Sequence, residues 1–324
     1  MGEFDLIARY FTRPTRRAVL GVGDDCALLA PAPGMQLAVS SDMLVEGRHF
    51  FADVDPRHLG HKALAVNLSD LAACGARPLA FTLALALPSV DEPWLQGFSE
   101  GLLALADAHG CELVGGDTTQ GPLNICITVF GEVPAGQALL RSGARVGDDI
   151  WVSGTLGDAR LALEALLGQR PLPPEALARA RQRLEQPTPR VALGLALRGV
   201  AHSAIDVSDG LLGDLGHILG ASRVGACIDT SITSKLIAEG AYQAGATSLP
   251  DPETLLRCVL AGGDDYELAF TAAAEQRNAV HEAGRLSGTA VTRVGTVESA
   301  PGIRLVDGLG RPVQARYASF DHFA

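Results

Sequence analysis

The chain has 324 residues, more than one small hydrophobic core usually holds, so two domains are expected. A hydrophobic fraction of 47% and 37 glycines favour a compact enzyme and exclude a disordered or fibrous chain. The net charge of −11, with no basic stretch, argues against a nucleic-acid partner. The longest apolar run, residues 79–87, falls well short of the roughly 20 residues of a membrane helix, so no membrane association is expected.

The first half of the chain alternates predicted strands and helices. The buried strand 37–40 ends in polar residues, and the helix 58–74 follows it; Asn67 and Asp70 lie three residues apart on that helix and face the same way. Next come strand 79–87, helix 94–109 ended by Gly110, strand 111–114 leading to Gly115-Gly116-Asp117, and strand 125–133. This alternation predicts α/β layers.

Pro134-Ala135-Gly136 is the predicted domain boundary, which gives domains 1–136 and 137–324. The second half again alternates, with strand 150–153, helix 159–167 and a strand that reaches Asp206. An amphipathic helix follows from Leu211, and Ser208 is the predicted N-cap of that helix. The fold class is therefore α/β in two domains.

Six segments repeat one arrangement, in which an apolar run and one or two small residues precede aspartate. They are Gly23-Asp24-Asp25, Ser40-Ser41-Asp42, Ser69-Asp70, Gly115-Gly116-Asp117, Asp206-Val207-Ser208-Asp209 and Gly262-Gly263-Asp264-Asp265. Singly, such residues have ordinary explanations: Asp209 as a first-turn helix carboxylate, Asp117 as a turn residue. If folding brings several together, their repulsion requires bound cations, and oxygen ligands select hard ions such as Mg²⁺.

A hard metal beside glycine-rich turns indicates phosphoryl chemistry. The two lysines, Lys62 and Lys235, lie outside any Gly-x-x-x-x-Gly-Lys run, so a P-loop enzyme is excluded. Protein-kinase signatures, a complete dinucleotide fingerprint, a Gly-x-Ser-x-Gly elbow and zinc-ligand histidine spacing are also missing from the sequence.

Taken in order, the motifs resemble the thiamine-monophosphate kinase family. They are Gly21-Val22-Gly23-Asp24-Asp25-Cys26, Ser41-Asp42 with His49-Phe50, Lys62-Ala63-Leu64-Ala65-Val66-Asn67-Leu68-Ser69-Asp70, Gly115-Gly116-Asp117-Thr118-Thr119, Arg141-Ser142-Gly143, Asp206-Val207-Ser208-Asp209-Gly210, Gly262-Gly263-Asp264-Asp265-Tyr266-Glu267 and Phe320-Asp321-His322-Phe323. The resemblance implies the two-domain PurM-like ATP-binding fold, which aminoimidazole ribonucleotide synthetase and selenophosphate synthetase share. It also implies ATP-dependent conversion of thiamine monophosphate to thiamine diphosphate, and a homodimer formed through the N-terminal domain.

The resemblance implies a role for each matching residue. Several Mg²⁺ ions would be held by Asp25, Ser40, Ser41, Asp42, Asp70, Asp117, Asp206 and Asp209. ATP would contact Gly116, Asp117, Arg141 and Ser208, and thiamine phosphate would contact His49, Asp264 and Phe320. Asp264 stands where the family commonly has glutamate, which shortens that substrate contact by one methylene.

The expected chemistry needs no catalytic nucleophile or base. A phosphate monoester has its second pKa near about 6, so the acceptor is mostly dianionic at neutral pH. The metal-held residues Asp42, Asp70 and Asp117 would act through position and charge in a direct transfer. The alternatives are another ATP-dependent synthetase of the same fold, a metal-dependent phosphohydrolase and a Ca²⁺-binding module.

The six cysteines form no Cys-x-x-Cys pair. The first residues also lack a basic region followed by an apolar core. We therefore expect reduced thiols in a cytoplasmic protein.

Overall fold

A computed structural model describes residues 2–237, 251–313 and 317. Contacts within the chain divide it into two compact units. Unit 1 comprises the residues up to Leu71 with Ala76–Ala138, and unit 2 comprises Ala72–Gly75 with the residues from Leu139 onward. In the described ranges, no helix has both the length and the apolar composition needed to cross a bilayer.

Unit 1 contains a four-stranded sheet in the order β1-β4-β2-β3. Strand β4 pairs antiparallel with both β1 and β2, and β2 pairs parallel with β3. The elements are helix α1 (Glu3–Leu6), a π-helix (Ile7–Phe11), β1 (Met35–Val45), helix α2 (Pro56–Ala73), β2 (Arg77–Leu87), helix α3 (Glu92–His109), β3 (Glu112–Gln120) and β4 (Asn124–Pro134). The helices and strands predicted from the sequence for this half are therefore present.

Helices α2 and α3 pack tightly against each other. A Cβ added to Gly60 of α2 would lie 2.0 Å from the Phe98 carbonyl oxygen of α3, so only glycine fits there. Asp91 caps α3 by accepting the Trp94 backbone N–H at 3.1 Å, and Gly110 ends the helix in the left-handed conformation. The predicted helix end at Gly110 is confirmed.

The prediction of a buried strand ending at Ser40 is wrong in two respects. Strand β1 continues to Val45, and Leu37 and Val39 are 44% and 56% exposed. The reason is that successive strand residues alternate between faces: Ser40 and Asp42 contact α2, whereas Leu37 and Val39 lie on the opposite, exposed face.

The prediction that Gly115-Gly116-Asp117 follows a strand is also wrong. Strand β3 continues through these residues to Gln120, and each of them pairs in register with β2. A bulge between Phe81 and Thr82 accompanies this pairing. Glycines in a sequence favour turns, but here pairing with β2 extends the strand through them.

Unit 2 contains a six-stranded sheet in the order β10-β7-β9-β5-β8-β6. The strands are β5 (Asp149–Ser153), β6 (Ser203–Val207), β7 (Gly225–Asp229), β8 (Glu267–Ala272), β9 (Val291–Glu298) and β10 (Gly302–Val306). The helices are α4 (Asp158–Leu166), α5 (Pro174–Glu185), α6 (Val191–Ala196), α7 (Leu211–Ser222), α8 (Thr230–Thr233), α9 (Pro252–Ala261) and α10 (Arg277–Ser287), with a 3₁₀ turn at Ala274–Gln276. Among the strands of the described residues, β10 and β7 pair parallel, and the other pairs of this sheet are antiparallel.

Helix α7 contributes the predicted apolar side to the core of unit 2. Leu211, Leu215 and Ile218 are fully buried. The prediction that Ser208 is the N-cap is wrong: Gly210 occupies that position. The carboxylate of Asp214, one turn into the helix, instead accepts the backbone N–H groups of the preceding residues.

Candidate functional site

A cavity of about 730 Å³ lies in unit 1 at the sheet edge formed by β3. Its polar side contains the loop Gly23-Asp24-Asp25 and the strand segment Gly115-Gly116-Asp117-Thr118. Its apolar side contains Phe4, Ile7 and Phe11 from the N-terminal helices. Such a volume is within the range of small-ligand sites. The structure thus brings three predicted site residues together: Asp25, Gly116 and Asp117.

Gly116 gives the cavity a wall made of backbone. Its φ is +145°, and an added Cβ would lie 1.8 Å from the Leu83 carbonyl oxygen. No other residue fits this position without moving β2 or β3. Glycine at this position therefore allows β2 and β3 to approach each other closely beside the cavity.

A second group of predicted residues lies where β1 meets α2. The Ser40 hydroxyl donates to the Asp70 carboxylate at 2.5 Å, and the Asp42 backbone N–H donates to the Asn67 side-chain oxygen at 3.1 Å. Asn67 and Asp70 therefore face β1 together, as their spacing predicts.

Ser41 points away from this group because successive strand residues alternate between faces. Its hydroxyl contacts Thr128 at 3.0 Å and donates to the Ile127 carbonyl at 3.1 Å, both on β4. His49 follows β1, and its Nδ1 accepts the Val45 backbone N–H at 3.0 Å, which fixes the ring.

In unit 2, the predicted residues lie in two adjoining segments. The Ser208 turn (residues 208–210) follows β6, and the Asp264 turn (residues 262–266) precedes β8. The Asp264 backbone N–H donates to the Ser208 carbonyl at 2.8 Å, and the Tyr266 N–H donates to the Val207 carbonyl at 2.9 Å. The Tyr266 hydroxyl also donates to the Asp264 carboxylate at 3.2 Å. Asp206 is buried in β6 just before the Ser208 turn.

The Asp264 turn has strained backbone geometry. Gly263, Asp264 and Tyr266 have φ values of +72°, +62° and +51°, a region that residues other than glycine rarely adopt. Two buried carboxylates, one within the turn and one directly after it, anchor it to the surrounding structure. Asp265 accepts the Gly157 N–H with both oxygens at 3.0 Å, and Glu267 accepts from Ser153 at 2.5 Å and from Arg183 at 2.8 Å. Strain retained by such surroundings is typical of functional segments.

Two of the buried acids have raised pKa values. Burial raises the pKa of Asp214 to about 7, although the N–H groups of Asp209 and Ser208 oppose the shift. Burial also raises the pKa of Asp265 well above its ordinary value. Sequence reasoning missed Asp214 because a single aspartate within a helix carries no doubled-aspartate signal; it also missed Asp24 and Thr118 of the unit 1 cavity.

The predicted metal ligands divide between the units, with Asp25, Ser40, Ser41, Asp42, Asp70 and Asp117 in unit 1, and Asp206 and Asp209 in unit 2. Within the described parts of the chain, no three histidine, cysteine or acidic side chains form a group that could hold a metal ion. The donor chemistry nevertheless fits Mg²⁺, because every predicted ligand offers a carboxylate or hydroxyl oxygen. Arg141 is exposed in unit 2, and its carbonyl accepts from Ser222 at 3.4 Å. Phe320 lies outside the described residues.

Comparison with known proteins places this architecture in a class. Residues 23–133 match the family model "AIR synthase related protein, N-terminal domain", and residues 136–308 match the corresponding C-terminal domain. Together the two models cover most of the chain, so both halves have the fold of AIR synthase related proteins, which confirms the predicted fold class.

Individual relatives identify the family within this class of proteins. The thiamine-monophosphate kinase of Salmonella typhimurium is 47% identical over 328 residues, covering 100% of this chain and 98% of the relative. The crystal structure of the Stenotrophomonas maltophilia thiamine-monophosphate kinase has a TM-score of 0.83 at 45% identity, covering 96% of each chain. AaThiL complexed with AMPPCP and TMP has a TM-score of 0.76 at 30% identity, covering 91% and 89%. The chain belongs to the thiamine-monophosphate kinase family, as its motifs predict.

Proposed function

We propose that this protein transfers the γ-phosphoryl group of ATP to thiamine monophosphate, giving thiamine diphosphate and ADP in the last step of thiamine diphosphate biosynthesis. The observation that carries the proposal is the 47% identity, over the full length, to a thiamine-monophosphate kinase. The related complex of AaThiL with AMPPCP, an ATP analogue, and TMP supports the same pair of substrates.

We assign ATP to Gly116, Asp117, Arg141 and Ser208. Support in unit 1 comes from the cavity of about 730 Å³, which Gly116 and Asp117 both line. In unit 2, support comes from the cationic, exposed Arg141, which can neutralise part of the charge of a polyphosphate.

We assign thiamine monophosphate to His49, Asp264 and Phe320. His49 is held by its hydrogen bond from Val45, and Asp264 by the Tyr266 hydroxyl. A residue held in this way loses little side-chain freedom when substrate binds.

We propose that Asp25, Ser40, Ser41, Asp42, Asp70, Asp117, Asp206 and Asp209 hold several Mg²⁺ ions. When bound, Mg²⁺ supplies positive charge that lets two polyanions meet and lines up their oxygens. Among these predicted ligands, the Ser40 hydroxyl donates a hydrogen bond of 2.5 Å to the Asp70 carboxylate. The bond between them fixes the orientation of the Asp70 carboxylate before any ion binds.

The residues of this chain bind and orient ATP and thiamine monophosphate, and they do not donate or abstract a proton. The acceptor phosphate is already mostly dianionic at neutral pH, so its oxygen attacks without a general base. Arg141 attracts the negatively charged phosphoryl group of ATP, and His49 and Asp264 orient thiamine monophosphate, the acceptor. Asp42, Asp70 and Asp117 act through their charge and position.

The experiment that tests the function is product analysis after incubation with MgATP, with and without thiamine monophosphate. We expect thiamine diphosphate and ADP in equal amounts, only when all components are present, and no product after chelation of the metal. Release of inorganic phosphate without thiamine monophosphate would identify a phosphohydrolase. Turnover of an aminoimidazole precursor or of selenide would identify a sister synthetase.

We also propose that the protein is a homodimer formed through unit 1. Leu37, Val39 and Met43 project from one face of the edge strand β1 and are 44%, 56% and 53% exposed. An apolar sheet face of this kind is typical of a subunit interface. A cytoplasmic location, the last part of the proposal, is supported by the six cysteines, which are all free thiols.

A further inference from the structure

Asp214 occupies an unusual place for a buried acid. It lies at the end of the first turn of α7 and is 3% exposed, yet its side chain turns back to the residues before the helix. Its Oδ2 accepts the backbone N–H groups of both Ser208 and Asp209 at 3.0 Å. Both N–H groups belong to residues that precede the N-cap Gly210, so this carboxylate satisfies two donors of the segment between β6 and α7.

The peptide group of Ser208 extends this contact to a second segment. Its N–H donates to Asp214, and its carbonyl accepts the N–H of Asp264 at 2.8 Å. A continuous set of hydrogen bonds therefore runs from Asp214 through Ser208 to Asp264. It connects the Ser208 turn to the Asp264 turn, whose positive φ values require support from the surrounding structure.

We propose that Asp214 is a positioning residue, which holds the Ser208 turn and, through the Ser208 peptide, the Asp264 turn in the arrangement needed for phosphoryl transfer. This inference rests on the proposed function, since Ser208 and Asp209 are assigned there to ATP and metal, and Asp264 to the acceptor. Asp214 itself acts only through the backbone of its neighbours. A small displacement of reacting groups lowers a transfer rate strongly, so loss of this support reduces turnover.

The test compares Asp214→Ala with Asp149→Ala as a matched control. Asp149 is also a buried aspartate of unit 2, but its partners are Arg277 and Arg293, outside both turns. Hydrogen exchange is followed by mass spectrometry in peptides covering residues 205–210 and 262–267. We expect Asp214→Ala to accelerate exchange about 10-fold in both peptides, because the first loses two hydrogen bonds to Asp214 and the second loses the support of the Ser208 turn. Asp149→Ala should leave both unchanged.

Kinetics supply the second readout. At a temperature where all variants are folded, Asp214→Ala should lower kcat at least about 10-fold and raise the KM for ATP. Asp149→Ala should retain wild-type values of both. Asp214→Asn should recover most of the activity, because the amide oxygen can accept the same two N–H groups.

Several results overturn the inference: unchanged exchange in either peptide, accelerated exchange with wild-type kinetics, or equal losses in Asp149→Ala. If Asp214→Ala does not fold, Asp214→Asn and Asp214→Glu replace it. If Asp214 acts by its charge, Asp214→Glu should be the more active variant. If it acts by positioning, Asp214→Asn should have the higher kcat and the slower hydrogen exchange in both peptides. The exchange measurements need no substrate. If wild type makes no thiamine diphosphate, the proposed function fails while the exchange data still decide whether Asp214 holds the turns.

Discussion

The Ser40 hydroxyl donates a 2.5 Å hydrogen bond to the Asp70 carboxylate and thereby joins strand β1 to helix α2. Asn67, one turn earlier on the same helix, accepts the Asp42 N–H. These contacts place the carboxylate of Asp70 beside the Ser40 hydroxyl, and oxygen atoms of these kinds are the ligands that Mg²⁺ prefers. They also indicate how an amide replacement at position 70 can keep the contact and remove the charge.

The first prediction concerns Asp42→Asn, Asp70→Asn and Asp117→Asn. Each should lower the formation of thiamine diphosphate by roughly 100-fold or more, as expected when a charge that acts in the transition state is lost. The melting temperature of the metal-free protein should be unchanged or slightly higher, because like charges repel in the empty site. Activity assays and melts with and without Mg²⁺ measure both effects.

The control for this series is Asp107→Asn, which removes an exposed carboxylate of unit 1 paired with Arg13. It should retain wild-type turnover. Metal-free variants at position 42, 70 or 117 that melt far below wild type would show that these aspartates are structural instead.

The second prediction concerns Gly116→Ala. The added methyl group would lie 1.8 Å from the Leu83 carbonyl oxygen, so β3 must move away from β2. We expect a loss of about 1 to 3 kcal/mol in the free energy of unfolding and weaker binding of ATP. Gly34→Ala is the control, since it also has positive φ but has no atom within 4 Å of an added Cβ. Equal effects at both positions would exclude the close contact as the cause.

The third prediction concerns pH and the buried Glu132. Burial alone would raise its pKa, but hydrogen bonds from the Ala32 N–H and Arg77, and the charge of Arg17, hold the pKa below its ordinary value. A lowered folded-state pKa stabilises the fold above the unfolded pKa of about 4.3, and this stabilisation is lost as pH falls through the folded value.

Glu132→Gln should therefore be less stable than wild type at pH 7, by about 1 to 3 kcal/mol. The difference should shrink as the pH falls below about 4. Denaturant titrations at a series of pH values measure it. A difference that stays constant down to pH 2 would mean that Glu132 does not titrate differently on folding.

The fourth prediction concerns the homodimer. Val39→Lys places a charge on the exposed face of β1 and should produce monomers, which sedimentation velocity can detect. Leu286→Lys is a matched control, because Leu286 is a 67% exposed leucine in α10 of unit 2. A Val39→Lys variant that remains dimeric at micromolar concentration would place the interface elsewhere.

Sequence patterns predicted correctly the helices that have a buried apolar side or that end at a glycine. The apolar spacing of Leu211, Leu215 and Ile218 predicted α7, and Gly110 predicted the end of α3. They failed where tertiary contacts override local preference. Gly116 favours a turn by itself, but pairing with β2 keeps it in a strand. Ser208 is a favourable N-cap residue, yet α7 begins two residues later than that position requires, with Gly210 as its N-cap, and Asp214 bonds the N–H groups of Ser208 and Asp209 before the helix.

For the candidate site, the sequence identified residue types and the structure supplies their neighbours. Asp25 and Asp117 line one cavity, and Ser208 contacts Asp264 through the backbone, although long stretches of chain separate both pairs. Such contacts depend on strand order, which no local pattern encodes. The structure also separates Ser41 from Ser40, because adjacent strand residues face opposite sides.

The last prediction is that transfer is direct, from ATP to the phosphate of thiamine monophosphate, with no phosphorylated enzyme. The acceptor needs no activation, and an aspartate engaged with metal or hydrogen-bonded as Asp70 is to Ser40 is a poor nucleophile. One in-line displacement inverts the configuration of the γ-phosphorus, whereas two displacements through an aspartyl phosphate retain it. ATP made chiral at the γ-position, followed by stereochemical analysis of the thiamine diphosphate, distinguishes the two routes. We expect inversion; retention, or an aspartyl phosphate trapped by rapid quenching, would overturn the direct route even if the overall reaction is as proposed.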